Sequence, residues 1–194
     1  MSRAEELAET YERKTLGFWI YLMTDCVLFA ALFATYAVLK SGTAGGPGGA
    51  ELFDLPFVLL ETIVLLTSSF TIGMALLASV RGLRKQTLVW LFITFALGIF
   101  FLALEFSEFA ILIAEGNGPQ RSAFLSAYFT LVATHGIHIA VGLLWMAVVI
   151  VRLWRHSFKQ TDIRRLALLG IFWHFLDIIW IFIFSIVYLI GASA

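Results

Sequence analysis

Leu88–Ile113 reads LVWLFITFALGIFFLALEFSEFAILI, an apolar run of 26 residues whose only charged groups are Glu105 and Glu108. About 20 mostly apolar residues suffice to cross the roughly 30 Å hydrocarbon core of a bilayer. Four further runs meet that length: Phe18–Leu39, Leu55–Val80, Ala123–Val151 and Leu166–Gly191. In lipid every backbone amide must be satisfied within the chain, which leaves helices or a closed barrel. Barrel strands alternate and are about 10 residues long, so these unbroken runs are helices. The sequence predicts an all-α polytopic membrane bundle of five transmembrane helices.

The rest of the composition agrees. Hydrophobic residues make up 61% of the 194 and charged residues 13%, with a mean hydropathy of +0.94. Average soluble proteins hold about 45–50% apolar and about 25% charged residues. The formal net charge is zero, which gives no reason to expect nucleic acid as a partner. Spans and short connections use nearly the whole sequence. The expected organisation is a tail over residues 1–17 and one five-helix domain over 18–194. Met1–Thr15 carries four glutamates and three basic residues and leads into a full-length span, so a retained first helix is expected rather than a cleaved signal. The one cysteine, Cys26, lies inside the first span and reads as a small apolar residue.

Basic residues set the expected orientation, because cytoplasmic connections are enriched in Lys and Arg. The N-terminal tail, the second connection and the fourth hold eleven, from Arg3 to Arg165. The first and third hold only Lys40 and Arg121. The N-terminus is therefore expected in the cytoplasm and the C-terminus in the periplasm. Trp90 and Trp154 near inner helix ends, with Tyr36, Tyr128 and Tyr188 near outer ones, fit aromatic interface belts. Residues 41–49, SGTAGGPGG, lack the lysine of a phosphate loop and read as a flexible connection. Ser122 is positioned to cap the fourth helix.

Eight titratable groups fall within spans: Asp25, Glu61, Glu105, Glu108, His135, His138, His174 and Asp177. An ionised residue at mid-bilayer costs about 2.5–3.5 kcal/mol on insertion scales. They should therefore face other helices, partner subunits or water. Their depths separate them into an acidic layer (Glu61, Glu105, Glu108) and a mixed layer of the other five. Residues three apart share a helix face, which groups His135 with His138, His174 with Asp177, and Glu105 with Glu108. Such residue types admit a metal site of His135, His138, His174 and Asp177, haem ligation by paired histidines, or a proton path. The reading that demands least is a hydrogen-bonded network that fixes helix packing, holds lipid or docks a partner. The cysteine count excludes a two-cysteine dinuclear copper site. Thr67–Thr71, Gly73, Gly136 and Gly142 would permit close helix approach. No nucleophile–base pair or nucleotide motif is present.

Three segments resemble subunit III of the haem–copper respiratory oxidases. They are Phe129-Thr-Leu-Val-Ala-Thr-His-Gly-Ile-His-Ile-Ala-Val-Gly142, Phe172-Trp-His-Phe-Leu-Asp-Ile-Ile-Trp180, and Leu55-Pro-Phe-Val-Leu-Leu-Glu-Thr62. Glu105 and Glu108 also fall at a position resembling the family's glutamate-rich helix end. Gly17–Asp25, the GTAGGP stretch and Gly118–Ser126 are most similar to the five-helix form found in cytochrome bo-type ubiquinol oxidases.

That resemblance implies a noncatalytic subunit in the bacterial inner membrane, without haem, copper or quinone site of its own. Haems and copper would reside in partner subunit I, with subunit II and a small subunit IV alongside. Its implied role is to support assembly, stability and proton uptake of subunit I in a proton-pumping quinol oxidase that reduces oxygen to water. Bound phospholipid is a further implication, with Glu61 and His174 among the polar positions that match. The alternatives are subunit III of a five-helix cytochrome c oxidase or, in a different class, an autonomous membrane cytochrome or a small ion or proton carrier. A carrier is disfavoured because no span has an internal proline break.

Overall fold

A computed structural model describes residues 3–156 and 158–192, with the side chains of 3–12 and 14 left aside. Its elements are α1 (Arg3–Leu39), the short α2 (Gly49–Leu52), α3 (Leu55–Val80), α4 (Arg84–Ala114), α5 (Ala123–Arg155) and α6 (Gln160–Ile183). A π-helical turn, Phe184–Leu189, and a last helical turn, Ile190–Ala192, continue α6. Five helices are long and apolar enough to cross a membrane. α1 begins well before the expected boundary at residue 18. Residues 3–16 contain neither glycine nor proline and are rich in Ala, Glu, Leu and Arg, which are strong helix formers. The tail is therefore helical where the structure describes it.

Local chemistry sets the helix ends. Asp54 caps α3 by accepting from the Phe57 amide at 3.4 Å, with Pro56 in the first turn. Ser122 caps α5 by accepting from the Leu125 amide at 3.1 Å, as its position predicted. α3 and α4 both end in a left-handed glycine, Gly82 at φ 72° and Gly116 at φ 78°. In each case the next amide reaches back five residues: Leu83 to the Ala78 carbonyl at 3.0 Å, and Asn117 to Leu112 at 2.8 Å. These are Schellman closures, and a Cβ would strain both glycines.

α3, α4, α5 and α6 form a closed ring, each packed on the next and α6 back on α3. α1 leans against the α5–α6 edge from outside. The ring's interior holds the largest buried side chains, among them Trp173, Trp180, Phe101 and Leu91. Phenylalanines divide between this interior and the exterior, Phe29, Phe101, Phe124 and Phe172 being buried while Phe70 and Phe106 are exposed. Gly98 and Gly142 lie against the Trp173 ring, which accounts for close approach there. Gly73 has no such neighbour, since a Cβ built on it meets no atom within 4 Å.

Three expectations change. Tyr36, Tyr128 and Tyr188 are core residues rather than an interface belt, because their hydroxyls find partners inside the bundle. Trp154 does lie on the surface, 66% exposed. The glycine-rich connection is packed rather than simply open. The Phe124 amide donates to the Gly42 carbonyl at 3.2 Å, and a Cβ on Gly49 would lie 2.6 Å from the Gly191 carbonyl oxygen. The last span also contains the π turn, for which no glycine or proline gives a signal.

At the end of the bundle rich in arginine, Arg84 of α4 donates to the α5 carbonyls of Leu153 and Trp154, both at 2.8 Å. Arg152 donates to Asp162 at 2.6 Å, and Asp162 also accepts from the Lys159 amide at 3.1 Å. Asp162 is buried, so Arg152→Ala leaves a carboxylate with one neutral donor. The expected loss is about 1–3 kcal/mol, read as a lower unfolding temperature in detergent micelles. Arg155→Ala, at an exposed cation one turn on, should leave that temperature unchanged.

Candidate functional site

The ring interior holds three acids. Glu61 of α3 and Glu105 and Glu108 of α4 are all buried. Glu108 accepts from the Tyr188 hydroxyl at 2.9 Å, and Tyr188 meets the Tyr128 hydroxyl at 3.0 Å. The π turn carries both Val187 and Tyr188 into the core, and the Val187 carbonyl accepts from Tyr36 at 3.4 Å. A π turn alters the register of side chains against an otherwise α-helical span. Both carboxyl oxygens of Glu61, and Oε2 of Glu105, make no hydrogen bond to the described protein groups. Glu105 instead presses against Gly136 of α5, where a Cβ would overlap its carboxylate.

The mixed layer is not one site. His135 points into the ring, its imidazole 5.2 Å from the Trp180 ring centre and 6.0 Å from that of Phe101. His138, three residues on, turns toward α1, with Nε2 3.7 Å from Asp25. Its Nδ1 lies 2.7 Å from the Thr134 carbonyl; a carbonyl only accepts, so Nδ1 carries the hydrogen. His174 lies on the outer side of α6, with Nδ1 2.8 Å from Ser69 Oγ of α3 and 3.5 Å from Asp177. The four residues considered for a metal therefore face three different neighbourhoods. Among the described residues no group of three His, Cys, Asp or Glu could hold a metal ion.

Several polar partners emerge only in three dimensions. Trp173 Nε1 donates to Ser68 at 2.9 Å and Trp180 Nε1 to Thr62 at 3.0 Å, both joining α6 to α3. Thr71 and Thr94 share a 2.8 Å hydrogen bond between α3 and α4. The hydroxyl-rich run of α3 hinted at such contacts but not at their partners. The resulting arrangement is a set of interhelical pairs around an acidic interior, and the hydroxyl–imidazole contact of Ser69 with His174 lies on the outer side of α6.

The sequence pattern of the family described as cytochrome c oxidase subunit III matches residues 9–192. The chain belongs to the cytochrome c oxidase subunit III family. Among relatives of this subunit III chain is cytochrome bo(3) ubiquinol oxidase subunit 3 of Pseudomonas aeruginosa, 55% identical over 91% of this chain and 84% of the relative. Quinol oxidase subunit 3 of Bacillus subtilis is 41% identical over 96% of this chain and 92% of its own length. Cytochrome c oxidase subunit 3 of a Bacillus species (strain PS3) is 43% identical over 93% of this chain and 87% of its own. Membership in subunit III accounts for a membrane bundle without reaction chemistry of its own.

Proposed function

We propose that this chain is the noncatalytic subunit III of a bacterial terminal oxidase that oxidises ubiquinol, reduces oxygen to water and pumps protons. The observation that carries this reading is the near full-length similarity to relatives named cytochrome bo(3) ubiquinol oxidase subunit 3, at 55% and 53% identity in two Pseudomonas species. Relatives named for cytochrome c oxidase are 43% and 40% identical. In this reading the spans pack mainly against subunit I, which holds the haems and copper, with subunit II and a small subunit IV completing the inner-membrane complex. The intramembrane polar residues, buried Asp25, Glu61, Glu105, Glu108, His135 and Asp177 with part-buried His138 and half-exposed His174, fix the helices to one another. Subunit I gains assembly, lifetime and proton uptake from that rigid neighbour, and phospholipid seals the remaining gaps.

Purification through this chain in a mild detergent should yield a haem-containing complex that consumes oxygen with ubiquinol. Oxygen consumption with reduced cytochrome c instead would reassign the donor. A colourless chain without partners would remove the oxidase reading altogether.

The same proposal places the N-terminus in the cytoplasm and the C-terminus in the periplasm, following the eleven-to-two distribution of basic residues. In a Cys26→Ala background, Arg155→Cys should react with an impermeant maleimide only after the cytoplasmic face is opened. Ser41→Cys should react in intact spheroplasts. The opposite pattern would invert the topology.

A further inference from the structure

His174 lies near the middle of the last span, yet its side chain is 46% exposed. Both of its polar contacts, Ser69 and Asp177, use Nδ1, which leaves the Nε2 edge on the outside of the bundle. A hydrogen-bonding group at that depth is costly against hydrocarbon, and intramembrane histidines almost always face protein or water. The surroundings form a receptacle. α6 is flanked by α1 on one side and α3 on the other, and those two make at most marginal contact with each other. The exposed stripe of α6, His174, Ile178 and Ile181, floors this groove. Phe33 of α1 lies 6.4 Å from exposed Phe182, on the α1 side.

The antiparallel register adds a notch. Ser69 pairs with His174, Ser68 with Trp173 and Thr62 with Trp180. The same register brings Gly73 level with Gly170, one turn from His174. A Cβ built on part-exposed Gly73 meets no atom within 4 Å, whereas Gly170 is itself buried. Gly73 is thus not explained by α3–α6 contact. Small residues are the usual means by which membrane helices admit a close neighbour. The outer face of α5 has a different character: Ile137, Val141, Leu144, Val148 and Val151 are all exposed and all aliphatic. That stripe offers acyl chains what they need and a polar partner nothing.

We propose that the α1–α6–α3 groove receives a membrane-spanning helix of another oxidase subunit, carrying a hydrogen-bonding side chain that meets His174 Nε2. This rests on the subunit III reading above. Lipid tails would fill the groove but leave the imidazole edge unsatisfied. A second copy related by a two-fold axis would set groove against groove and leave both hollow.

The test is photo-cross-linking from benzoylphenylalanine placed singly at Ile178, Ile181, Leu144 and Val148 in the assembled complex in its membrane. Adducts to one other oxidase subunit are expected from 178 and 181, and lipid adducts or none from 144 and 148. Lipid-only adducts or self-adducts from 178 and 181, or subunit adducts only from α5, would overturn the proposal. His174→Leu should lower retention of this chain in the detergent-washed complex by about threefold to tenfold, the scale of one interhelical hydrogen bond. His174→Gln should restore most of that retention. If the unsubstituted chain never accompanies a haem-containing complex, the subunit III reading itself fails, which is a separate result.

Discussion

Trp173→Ala is expected to cost about 3–5 kcal/mol, the range for emptying a buried aromatic site. Trp173 is fully buried at the centre of the four-helix ring. From α6 its indole reaches all three other members. A Cβ on Gly98 of α4 would come 2.9 Å from Cη2, and one on Gly142 of α5 would come 3.1 Å from Cζ3. Nε1 donates to Ser68 of α3, whose hydroxyl is itself tied to the Leu65 carbonyl at 2.7 Å. Within a membrane, lipid tails are as apolar as the core, so helices associate through packing and hydrogen bonds. Removing this side chain forfeits both at once. Trp173→Phe should lose about 1–2 kcal/mol, because most of the ring volume stays and the hydrogen bond goes. Thermal unfolding of the purified complex, followed by release of this chain, would measure the difference. A loss below about 1 kcal/mol for the alanine variant would contradict the central role of the indole.

The spans were legible because length and apolarity decide them with almost no help from tertiary structure. Their starts were legible where a cap was written locally, as at Ser122. What escaped was direction around the helix. His135 and His138 are three residues apart, which turns the second about 60° from the first. That angle separates the ring interior from the α1 seam, so one histidine faces Trp180 and the other Asp25. Tyr36, Tyr128 and Tyr188 looked interfacial because tyrosine near a span end fits a belt. Their hydroxyls instead bond to one another, to Glu108 and to the carbonyl exposed by the π turn. Nothing local in Phe184–Leu189 marks that turn. Burial of Glu61, Glu105 and Glu108 follows the cost of charge in hydrocarbon rather than depth itself, since His174 near mid-span is half-exposed. Their neighbours were not legible, since Gly136 reads as any small helix residue until Glu105 is seen against it.

Gly136→Ala is expected to destabilise the bundle by about 1–3 kcal/mol, the usual penalty for overpacking. Helix propensity argues the other way, since alanine in a helix interior is better than glycine by about 1 kcal/mol. A net loss would therefore report a tertiary contact rather than a backbone effect. The contact is with the Glu105 carboxylate, onto which the new methyl would fall. Glu105 is buried and cannot swing into solvent, so either its side chain leaves its rotamer or α4 parts from α5. The double-mutant cycle isolates the cause. With Glu105→Ala in place, Gly136→Ala should become neutral or stabilising, giving a coupling of about 1–3 kcal/mol. Strict additivity would mean that the two side chains do not meet. The same cycle bears on function. For a subunit that supports its neighbour through packing, Glu105→Ala and Glu61→Gln should leave the haem content of the complex intact. Gly136→Ala, which displaces the Glu105 side chain or parts α4 from α5, should shorten the lifetime of the complex during turnover, and Glu105→Ala should restore it.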